Sequence, residues 1–479
     1  IPLLPLAGFL INGLCGKWLP KAVSGTIGAG VIFASAVMTV SLFLKVQAGT
    51  TPVPMTYTLF DWIKVGGFSI PFAILIDPLS IIMILIVTCV GFLIHLYSIG
   101  YMWKDEGFAR FFAYLNLFTF SMLLLVMGNN FALLFIGWEG VGLCSYLLIG
   151  FWFKNNAYNK AAVKAFVMNR IGDLGFILGI FLIVTHFGSL VFTDVFEAAQ
   201  SRTLGEPVIV WIAIFLFIGA VGKSAQIPLY TWLPDAMAGP TPVSALIHAA
   251  TMGIAGVYMV IRSNVLYTHA PLVLDLIAAV GMATALLAAL IALTQTDIKK
   301  VLAYSTVSQL GYMFVALGVG AYTSSLFHVI THAFFKALLF LAAGSVIHAL
   351  HEEQDIRRMG GLRKSIPITY WTFFIGTLAI ASIPPFSGFF SKDEILLNLF
   401  EHNKLLWGFA LLGSFLTTFY MFRLFFLTFH GEFRGSAETK SHIHESPLVM
   451  TIPLMLLALL SLGGGIIGLP EVIGSHHWL

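Results

Sequence analysis

Charged residues are scarce in this sequence. Only 10% of its 479 residues are Asp, Glu, Lys or Arg, whereas soluble globular domains carry roughly 25%. Apolar residues make up 58% of the chain, and the mean hydropathy is +0.93. A net charge of only +3 argues against a nucleic-acid surface. The composition therefore predicts an integral membrane protein whose partner is the lipid bilayer. It does not predict a nucleic-acid partner.

Cysteines and nucleotide-binding motifs are also scarce. The three cysteines, Cys15, Cys89 and Cys144, lie in or beside apolar runs and form no C-x-x-C pair. They therefore predict neither a disulfide framework nor a zinc or iron–sulfur site. The chain contains no Walker loop and no dinucleotide-binding glycine fingerprint. The sequence thus predicts a chain without a cofactor or a redox site of its own.

Long apolar runs fill most of the chain. Because a helix needs about 20 mostly apolar residues to cross a bilayer, these runs predict about fourteen transmembrane helices. Between the second and third runs, β-forming residues alternate around Gly66-Gly67, which predicts an extramembrane hairpin over 57–76. The predicted spans are 1–16, 23–46, 77–101, 109–127, 130–153, 161–187, 208–232, 241–262, 271–295, 299–320, 322–349, 366–400 (broken), 404–430 and 447–469.

The positively charged residues predict the orientation of the chain. Lysine and arginine divide between alternate loops and span ends, with fourteen on one side and five on the other. The side with more of them is expected to be cytoplasmic or its equivalent. Both termini would then lie on the outer, periplasm-equivalent side of the membrane.

Lys223 and Lys392 each lie in an apolar run that glycine and proline interrupt. A lysine inside hydrocarbon costs several kcal/mol, and a broken helix frees backbone groups that need a polar interior. One such segment in each half of the chain is typical of an ion path built from repeats. Asp393 follows Lys392 directly, so the two side chains should point to different helix faces, with the acid acting on the lysine through water.

Three further ionisable residues lie in the fifth and sixth predicted spans. Glu139 is surrounded by Gly137, Gly140 and Gly142, which favours a tightly packed interior face over a position among lipid headgroups. Facing Lys223, it would form a pair whose proton affinity depends on its geometry. Arg170 and Asp173 share a helix face, where a static buried salt bridge and a role in transport explain them equally well.

A column of titratable residues occurs in the second half. His328, His332 and Lys336 recur every four residues, so one helix stripe carries all three. Two histidines could bind zinc, but no third ligand is evident, and the column favours a proton relay. His248 follows the first broken helix and could link the halves, while Lys299 lies near a span end, where it could anchor the interface or open onto the polar residues. The residues 351–353 and the pair His442/His444 are expected in solvated loops.

Several runs resemble a known family. The residues 137–142 (GWEGVG), 222–237 (GKSAQIPLYTWLPDAM) and 239–248 (GPTPVSALIH) are similar to the antiporter-like subunits of respiratory complex I. Among these subunits, the resemblance is to subunit L, which is chain 5 in mitochondria. It rests on the sequence of residues 138–146 and on the segment Ser391-Lys392-Asp393-Glu394. The resemblance extends over nearly the whole chain. It implies a subunit of the proton-translocating NADH:quinone oxidoreductase in a bacterial plasma membrane or mitochondrial inner membrane.

The resemblance also implies an architecture and residue roles. The fold would be all-α, with fourteen core helices and two inverted five-helix repeats over 109–262 and 271–430, each containing a broken helix. Residues 1–108 would precede the repeats, and 431–479 would supply the last helix. The carboxylate of Glu139 would gate Lys223 beside the charged pair Arg170/Asp173. The central residues would be His248, Lys299, His328, His332 and Lys336, with Lys392 and Asp393 at the exit.

The resemblance also implies that this chain has partner subunits. Other antiporter-like membrane-arm subunits would adjoin this chain, and partner subunits would hold NADH, FMN, iron–sulfur clusters and quinone. Family members continue past the fourteenth helix into a long lateral helix, whereas this sequence stops at Leu479. Either that region lies outside this sequence or the variant lacks it, in which case mechanical coupling to neighbouring subunits is in doubt.

Two other functions remain open from the sequence. The large subunit of a multisubunit Na⁺/H⁺ antiporter or of a membrane-bound hydrogenase shares the same core. A membrane scaffold could also retain buried charges merely to specify packing. Sodium-dependent antiport without NADH oxidation would indicate the first, and transport insensitive to loss of Lys223 and Lys392 would indicate the second.

Overall fold

A computed structural model describes residues 1–468, most of which are helical. A single antiparallel hairpin, β1 (Met55–Val65) and β2 (Phe68–Ile76), accompanies the helices in this part of the chain. The α-helices are α1 (Leu3–Cys15), α2 (Lys21–Gln47), α3 (Pro78–Leu85), α4 (Gly91–Tyr101), α5 (Phe108–Met127), α6 (Phe131–Ile149), α7 (Asn156–Phe187), α8 (Phe192–Gln200), α9 (Pro207–Lys223), α10 (Trp232–Asp235), α11 (Thr241–Ala249), α12 (Met252–Arg262), α13 (Asn264–Thr268), α14 (Pro271–Ala292), α15 (Ile298–Gly318), α16 (Tyr322–Ala349), α17 (Pro367–Ile380), α18 (Ser387–His402), α19 (Lys404–Phe429), α20 (Ala437–Ser441) and α21 (Leu448–Gly463).

The helices confirm the membrane fold. Within residues 1–468, 11 helical segments are long and apolar enough to cross a membrane. Three shorter apolar helices, α1, α9 and α17, accompany them. The predicted end of the last span at residue 469 and the chain end at Leu479 lie outside the described residues.

The predicted hairpin is present. It pairs Met55 with Ile76 at its open end and Val65 with Phe68 next to the turn. Gly66 adopts φ 59° in that turn, a conformation that glycine reaches without steric strain. Strand β1 is almost wholly exposed, whereas β2 buries Ile70 and Ala73. The strand pairing therefore begins two residues before the predicted start at residue 57.

Both predicted interruptions are also present. Helix α9 ends at Lys223, so the predicted span over 208–232 is helical only as far as this lysine. Helix α17 ends at Ile380, and α18 begins at Ser387. Each gap holds one non-glycine residue with positive φ, Ala225 at 50° and Ser382 at 58°. A left-handed residue of this kind costs roughly 1–2 kcal/mol, a strain that tends to persist at functional sites.

The predicted span over 241–262 is present, but it is not one continuous helix. The run 241–262 divides into α11 and α12, which Ala250 and Thr251 separate just after His248. Thr251 has φ −135° and ψ −101°, far from helical values. Thr251 and Gly253 are weak helix formers, so local propensity does little to oppose the break. The third span also contains a π-helical turn, Ile86–Val90, that the apolar pattern did not predict.

The described residues form two compact units. The first combines Ile1–His95, Lys104–Ser224 and Ala250–Leu276. The second combines Leu96–Trp103, Ala225–Ala249 and the described residues from Ile277 to residue 468. Helices α7 and α9 pack together in the first unit, and α11 and α15 both contribute to the second, where α16 packs against them.

Glycine allows the close approach of α7 and α9. A Cβ atom on Gly172 would lie 3.0 Å from the Gly222 Cα and 3.2 Å from the Ile218 carbonyl oxygen. Both are backbone atoms, which cannot move aside as a flexible side chain can. Small residues at such contacts let membrane helices pack closely.

Gly172→Val is therefore expected to destabilise the protein by about 1–3 kcal/mol through overpacking. Thermal unfolding of the subunit within the detergent-solubilised complex measures the change. Gly30→Val is the matched control, because Gly30 is also helical but has no atom within 4 Å of the position that a Cβ would take. Equal shifts for the two variants would contradict a tight contact at Gly172.

Candidate functional site

Lys223 lies at the last turn of α9 and is completely buried in the first unit. Its Nζ atom is 3.7 Å from Asp173 Oδ2 on α7 and 5.6 Å from the centre of the Trp138 ring. Trp138 Nε1 donates a 2.6 Å hydrogen bond to Asp173 Oδ1. A Cβ on Gly142 would come within 2.7 Å of Nζ, so the ammonium group packs closely against this glycine. The buried lysine is thus held between a carboxylate and an aromatic face.

The ionic partners differ from those that the sequence predicted. Glu139 Oε2 pairs with Arg170 Nη1 at 2.5 Å, while Lys223 pairs with Asp173. The predicted Glu139–Lys223 pair and the predicted Arg170/Asp173 pair are therefore wrong as direct ion pairs. The residues at 170 and 173 do lie along one helix, but neighbouring helices α6 and α9 supply the nearest opposite charges.

The four charges nevertheless form one cluster. Glu139 is in electrostatic contact with both Asp173 and Lys223, in addition to Arg170. The exposed fraction of the Arg170 side chain is 47%, against 0% for Lys223. Among residues 1–468, the Lys223 ammonium has no partner within normal hydrogen-bonding distance. The two carboxylates and the two cations of this cluster differ in burial. A cluster of this kind can hold an extra proton on more than one of its groups.

The predicted column on α16 is buried in the second unit. His328 Nδ1 is 2.9 Å from Ser391 Oγ, and its Nε2 is 3.0 Å from Gln309 Oε1. Lys336 donates to Leu302 O at 3.2 Å and to Ser305 Oγ. The rings of His328 and His332 are 6.2 Å apart between centroids. The spacing of four residues has therefore placed all three groups on the packed side of the helix.

Two buried histidines have unsatisfied ring nitrogens. In the described part of the chain, neither nitrogen of His248 nor of His332 has a hydrogen-bond partner. The His248 ring packs at 4.7 Å from that of Phe340 on α16. Most buried polar groups in proteins have a hydrogen-bond partner, so these four ring nitrogens are exceptions. No group of three or more His, Cys, Asp or Glu suited to a metal ion occurs within residues 1–468.

Lys299 is also buried in the second unit, with an exposed fraction of 3%. It lies in the first turn of α15, where Asp297 caps the helix by accepting from the backbone N–H of Lys299 at 2.8 Å. Its Nζ donates to the carbonyl oxygens of Met237 at 2.7 Å and Gly239 at 2.8 Å. These bonds point the ammonium group inward, which is contrary to simple anchoring at the membrane surface.

Lys392 and Asp393 point to different faces of α18, as predicted. Lys392 is buried, with its Nζ 4.4 Å from the centre of the Tyr312 ring, whereas Asp393 is exposed. The Lys392 ammonium has no hydrogen-bond partner within the described residues. The structure therefore brings Lys392, but not Asp393, to the buried polar groups of this unit. An effect of Asp393 on Lys392 through water stays a prediction.

Sequence reasoning missed the neutral residues that hold the charged ones. Trp138 lies within a motif that pointed only to Glu139, and Ser391 directly precedes Lys392. A serine next to a buried lysine and a tryptophan next to a buried acid were the available signals. Gln309, Ser305 and Tyr312 gave no such signal, because their partners are distant in sequence. The predicted loops at 351–353 and at His442/His444 are confirmed.

Comparisons with known proteins agree with these features. A family model described as "NADH:quinone oxidoreductase/Mrp antiporter, TM" matches residues 128–419. A second, "NADH-Ubiquinone oxidoreductase (complex I), chain 5 N-terminus", matches residues 62–112. The NADH-quinone oxidoreductase subunit L of Rickettsia bellii is 49% identical over 98% of this chain and 74% of that protein. The chain belongs to the subunit L family.

Solved structures share the fold of this subunit L family member. The Mrp complex from a Dietzia species superposes with a TM-score of 0.82 and 29% identity over 97% of this chain and 50% of that chain. The membrane-bound sulfane sulfur reductase, an archaeal respiratory membrane complex, gives a TM-score of 0.85 with 26% identity, over 97% of this chain and 75% of that one. The same architecture therefore occurs in an antiporter complex and in respiratory complexes.

Proposed function

We propose that this chain is a proton-translocating membrane-arm subunit of an NADH:quinone oxidoreductase. Protons would move by way of the Lys223 cluster of the first unit and the His/Lys residues of the second. Redox chemistry in partner subunits would supply the energy as a changed electrostatic field at Glu139. The chain itself would carry no redox step, since the residues described above are acids, bases and hydrogen-bonding groups.

The complete burial of Lys223 beside Asp173 carries this proposal. Ion pairs in low-dielectric surroundings are expensive to maintain, and intramembrane charges are rarely kept without a function. Helix α9 ends at this lysine, which brings the partial negative charge of a helix C-terminus to the ammonium group. A modest change at Glu139 or Arg170 would shift the balance between the charged and neutral forms of the lysine.

Further features of the family complete the proposal. The 11 long spans and three shorter apolar helices would together make the fourteen core helices. Residues 109–262 and 271–430 would form two inverted repeats, preceded by 1–108 and followed by 431–479. Both termini would lie on the outer side of an energy-coupling membrane. Neighbouring antiporter-like subunits would adjoin the chain, and NADH, FMN, iron–sulfur clusters and quinone would be bound by other subunits.

The proposal predicts NADH-driven proton transport that depends on Lys392. In vesicles containing the assembled complex, Lys392→Ala should lower the rate of NADH-driven acidification by about tenfold, since general acid–base groups contribute factors of this size or more. A fluorescent pH probe and the rate of NADH oxidation measure the two activities together. Lys404→Ala is the control, because Lys404 is exposed at the start of α19. Wild-type acidification by Lys392→Ala would contradict the proposed role.

A second candidate is the large subunit of a multisubunit Na⁺/H⁺ antiporter or membrane-bound hydrogenase. The TM-score of 0.82 against the Dietzia Mrp complex favours keeping it. Replacing sodium with potassium in the same vesicles separates the candidates. Acidification that needs NADH but not sodium supports the oxidoreductase subunit. Proton exchange that needs sodium and proceeds without NADH oxidation supports the antiporter.

A further inference from the structure

The loop after α16 lies against the start of α15 in the second unit. The Ile298 N–H donates to the Gln354 carbonyl oxygen at 3.0 Å, and the Ile356 N–H donates to Thr296 O at 2.9 Å. These two bonds fix the loop beside the first turn of α15, which carries Lys299. The loop backbone is strained as well, because His351 and Glu352 have φ values of 52° and 70°. Consecutive left-handed residues other than glycine indicate a conformation that the surroundings impose.

The two glutamates of this loop differ in their hydrogen bonds and ion pairs. Glu353 Oε1 accepts the backbone N–H groups of Gln354 and Asp355, and its Oε2 pairs with Arg358 at 3.3 Å. Glu353 is thereby used to shape the loop. Glu352 is exposed and forms no salt bridge within residues 1–468, yet its carboxylate is in electrostatic contact with the buried Lys299. Glu352 is thus open to solvent while its charge acts on the buried lysine.

Polar groups continue inward from this position. The Glu352 carboxylate also influences Tyr97 and Tyr101 of α4. Tyr101 Oη is 3.1 Å from Thr241 Oγ1, at the start of the helix that carries His248. Lys299 donates to Gly239 O just before that helix, and its charge reaches His248. Electrostatic interactions therefore link the Glu352 carboxylate to Lys299, and Lys299 to the central histidine.

We propose that Glu352 is the residue through which protons enter the buried polar groups of the second unit, with Lys299 as their first buried acceptor. The inference rests on the proposed function, since it assigns an uptake point to proton transport by this chain. Partial removal from water raises the pKa of Glu352, although the residue is exposed as a whole, and the charge of Lys299 opposes this only in part. A carboxyl group of this kind exchanges protons nearer to neutral pH than an ordinary glutamate does.

Other titratable groups lie in the loop and in the segments that precede it, follow it or pack against it. They belong to α15, α16, the loop itself and the segment before α21: Asp297, Lys300, His348, His351, Glu353, Asp355, Arg358, His442 and His444. The rings of His351 and His442 are 6.1 Å apart, and those of His348 and His444 are 6.3 Å apart.

Glu352→Gln tests the inference through the pH profile of pumping. In vesicles with the assembled complex, acidification per NADH oxidised should fall about tenfold near pH 8 and much less near pH 6. The reason is that loss of the Glu352 carboxylate limits proton uptake most when the proton concentration is low. Glu352→Asp should restore most of the rate. Glu438→Gln, an exposed glutamate of α20, is the control. A Glu352→Gln profile that matches this control at every pH overturns the inference.

The outcome is separable from that of the proposed function. If the wild-type complex oxidises NADH without transporting protons, the proposed function fails whatever Glu352 does. If the wild type pumps and Glu352→Gln pumps equally well, only the uptake point fails. Should Glu352→Gln not assemble, Glu352→His provides the test, because imidazole should move the pH profile towards its own titration range. An unchanged profile for the histidine variant would also overturn the inference.

Discussion

Lys223→Ala is expected to lower NADH-driven proton transport by about a hundredfold or more, since the proton loses a positioned base. Alanine cannot take up a proton, and the substitution removes the ammonium group that pairs with Asp173. Acidification of vesicles containing the assembled complex measures the loss, and NADH oxidation is measured in parallel. Lys160→Ala, at an exposed position on α7, should behave like the wild type.

Lys223→Arg separates a proton-transfer role from a packing role. Arginine keeps the positive charge beside Asp173 but remains protonated at every physiological pH. A scaffold whose charges only specify packing should therefore tolerate arginine better than alanine. A proton-transfer site should lose transport with either substitution, although the arginine variant assembles more readily. Wild-type acidification by an assembled Lys223→Arg complex would remove Lys223 from the transport path.

Asp77→Ala is expected to destabilise the protein by about 3–5 kcal/mol, because it leaves a buried arginine without its counter-ion. Arg262 has an exposed fraction of 7%, and its Nη2 donates to Asp77 Oδ1 at 3.0 Å. Its Nη1 also contacts the Asp77 carboxylate, and its Nε donates to Tyr258 Oη at 3.1 Å. The same carboxylate caps α3 by accepting from the Ser80 N–H at 2.8 Å. Thermal unfolding of the solubilised complex measures the change.

Acid should remove the same stabilisation in the wild type. Burial opposes ionisation of Asp77, but hydrogen bonds and charge from Arg262 outweigh it and lower the pKa of this carboxyl group. A lowered folded-state pKa means that the contribution is present above the unfolded pKa of about 3.9 and is lost as the pH falls through the folded value. Asp77→Ala should lack this component of the acid transition.

Asp61→Ala is the matched control for Asp77→Ala. Asp61 pairs with Lys64 at 3.4 Å, but the exposed fractions of the two side chains are 49% and 68%. Exposed pairs of this kind contribute about 0–1 kcal/mol. Comparable destabilisation by the two alanine variants would show that burial of Arg262 does not set the size of the effect.

The sequence predicted those features that depend on local pattern. Apolar runs predicted the spans, Gly66-Gly67 predicted the hairpin, and proline with glycine predicted the interruptions beside Lys223 and before Lys392. The spacing of four residues between His328, His332 and Lys336 placed them on one buried stripe. Each of these follows from helix or strand geometry within one segment, so no knowledge of distant contacts was needed.

The ion-pair partners could not be predicted in the same way. Glu139 was expected opposite Lys223. In the structure its carboxylate pairs with Arg170 on the neighbouring helix, and Lys223 pairs with Asp173. The choice depends on how α6, α7 and α9 pack, and that packing depends on close backbone contacts such as Gly172 against Gly222. The break between α11 and α12 was missed because no proline marks it.

The sequence by itself determined that this chain is a helical membrane protein of the subunit L family with buried lysines and histidines. The length of apolar runs, helical periodicity and helix-breaking residues act over neighbouring positions, so these properties can be predicted from the sequence. Only the tertiary structure decided which charges meet, which ring nitrogens lack partners, and that the Glu352 loop lies beside Lys299. Those relations join residues that are distant in sequence, because helix packing and two backbone hydrogen bonds from the loop set them.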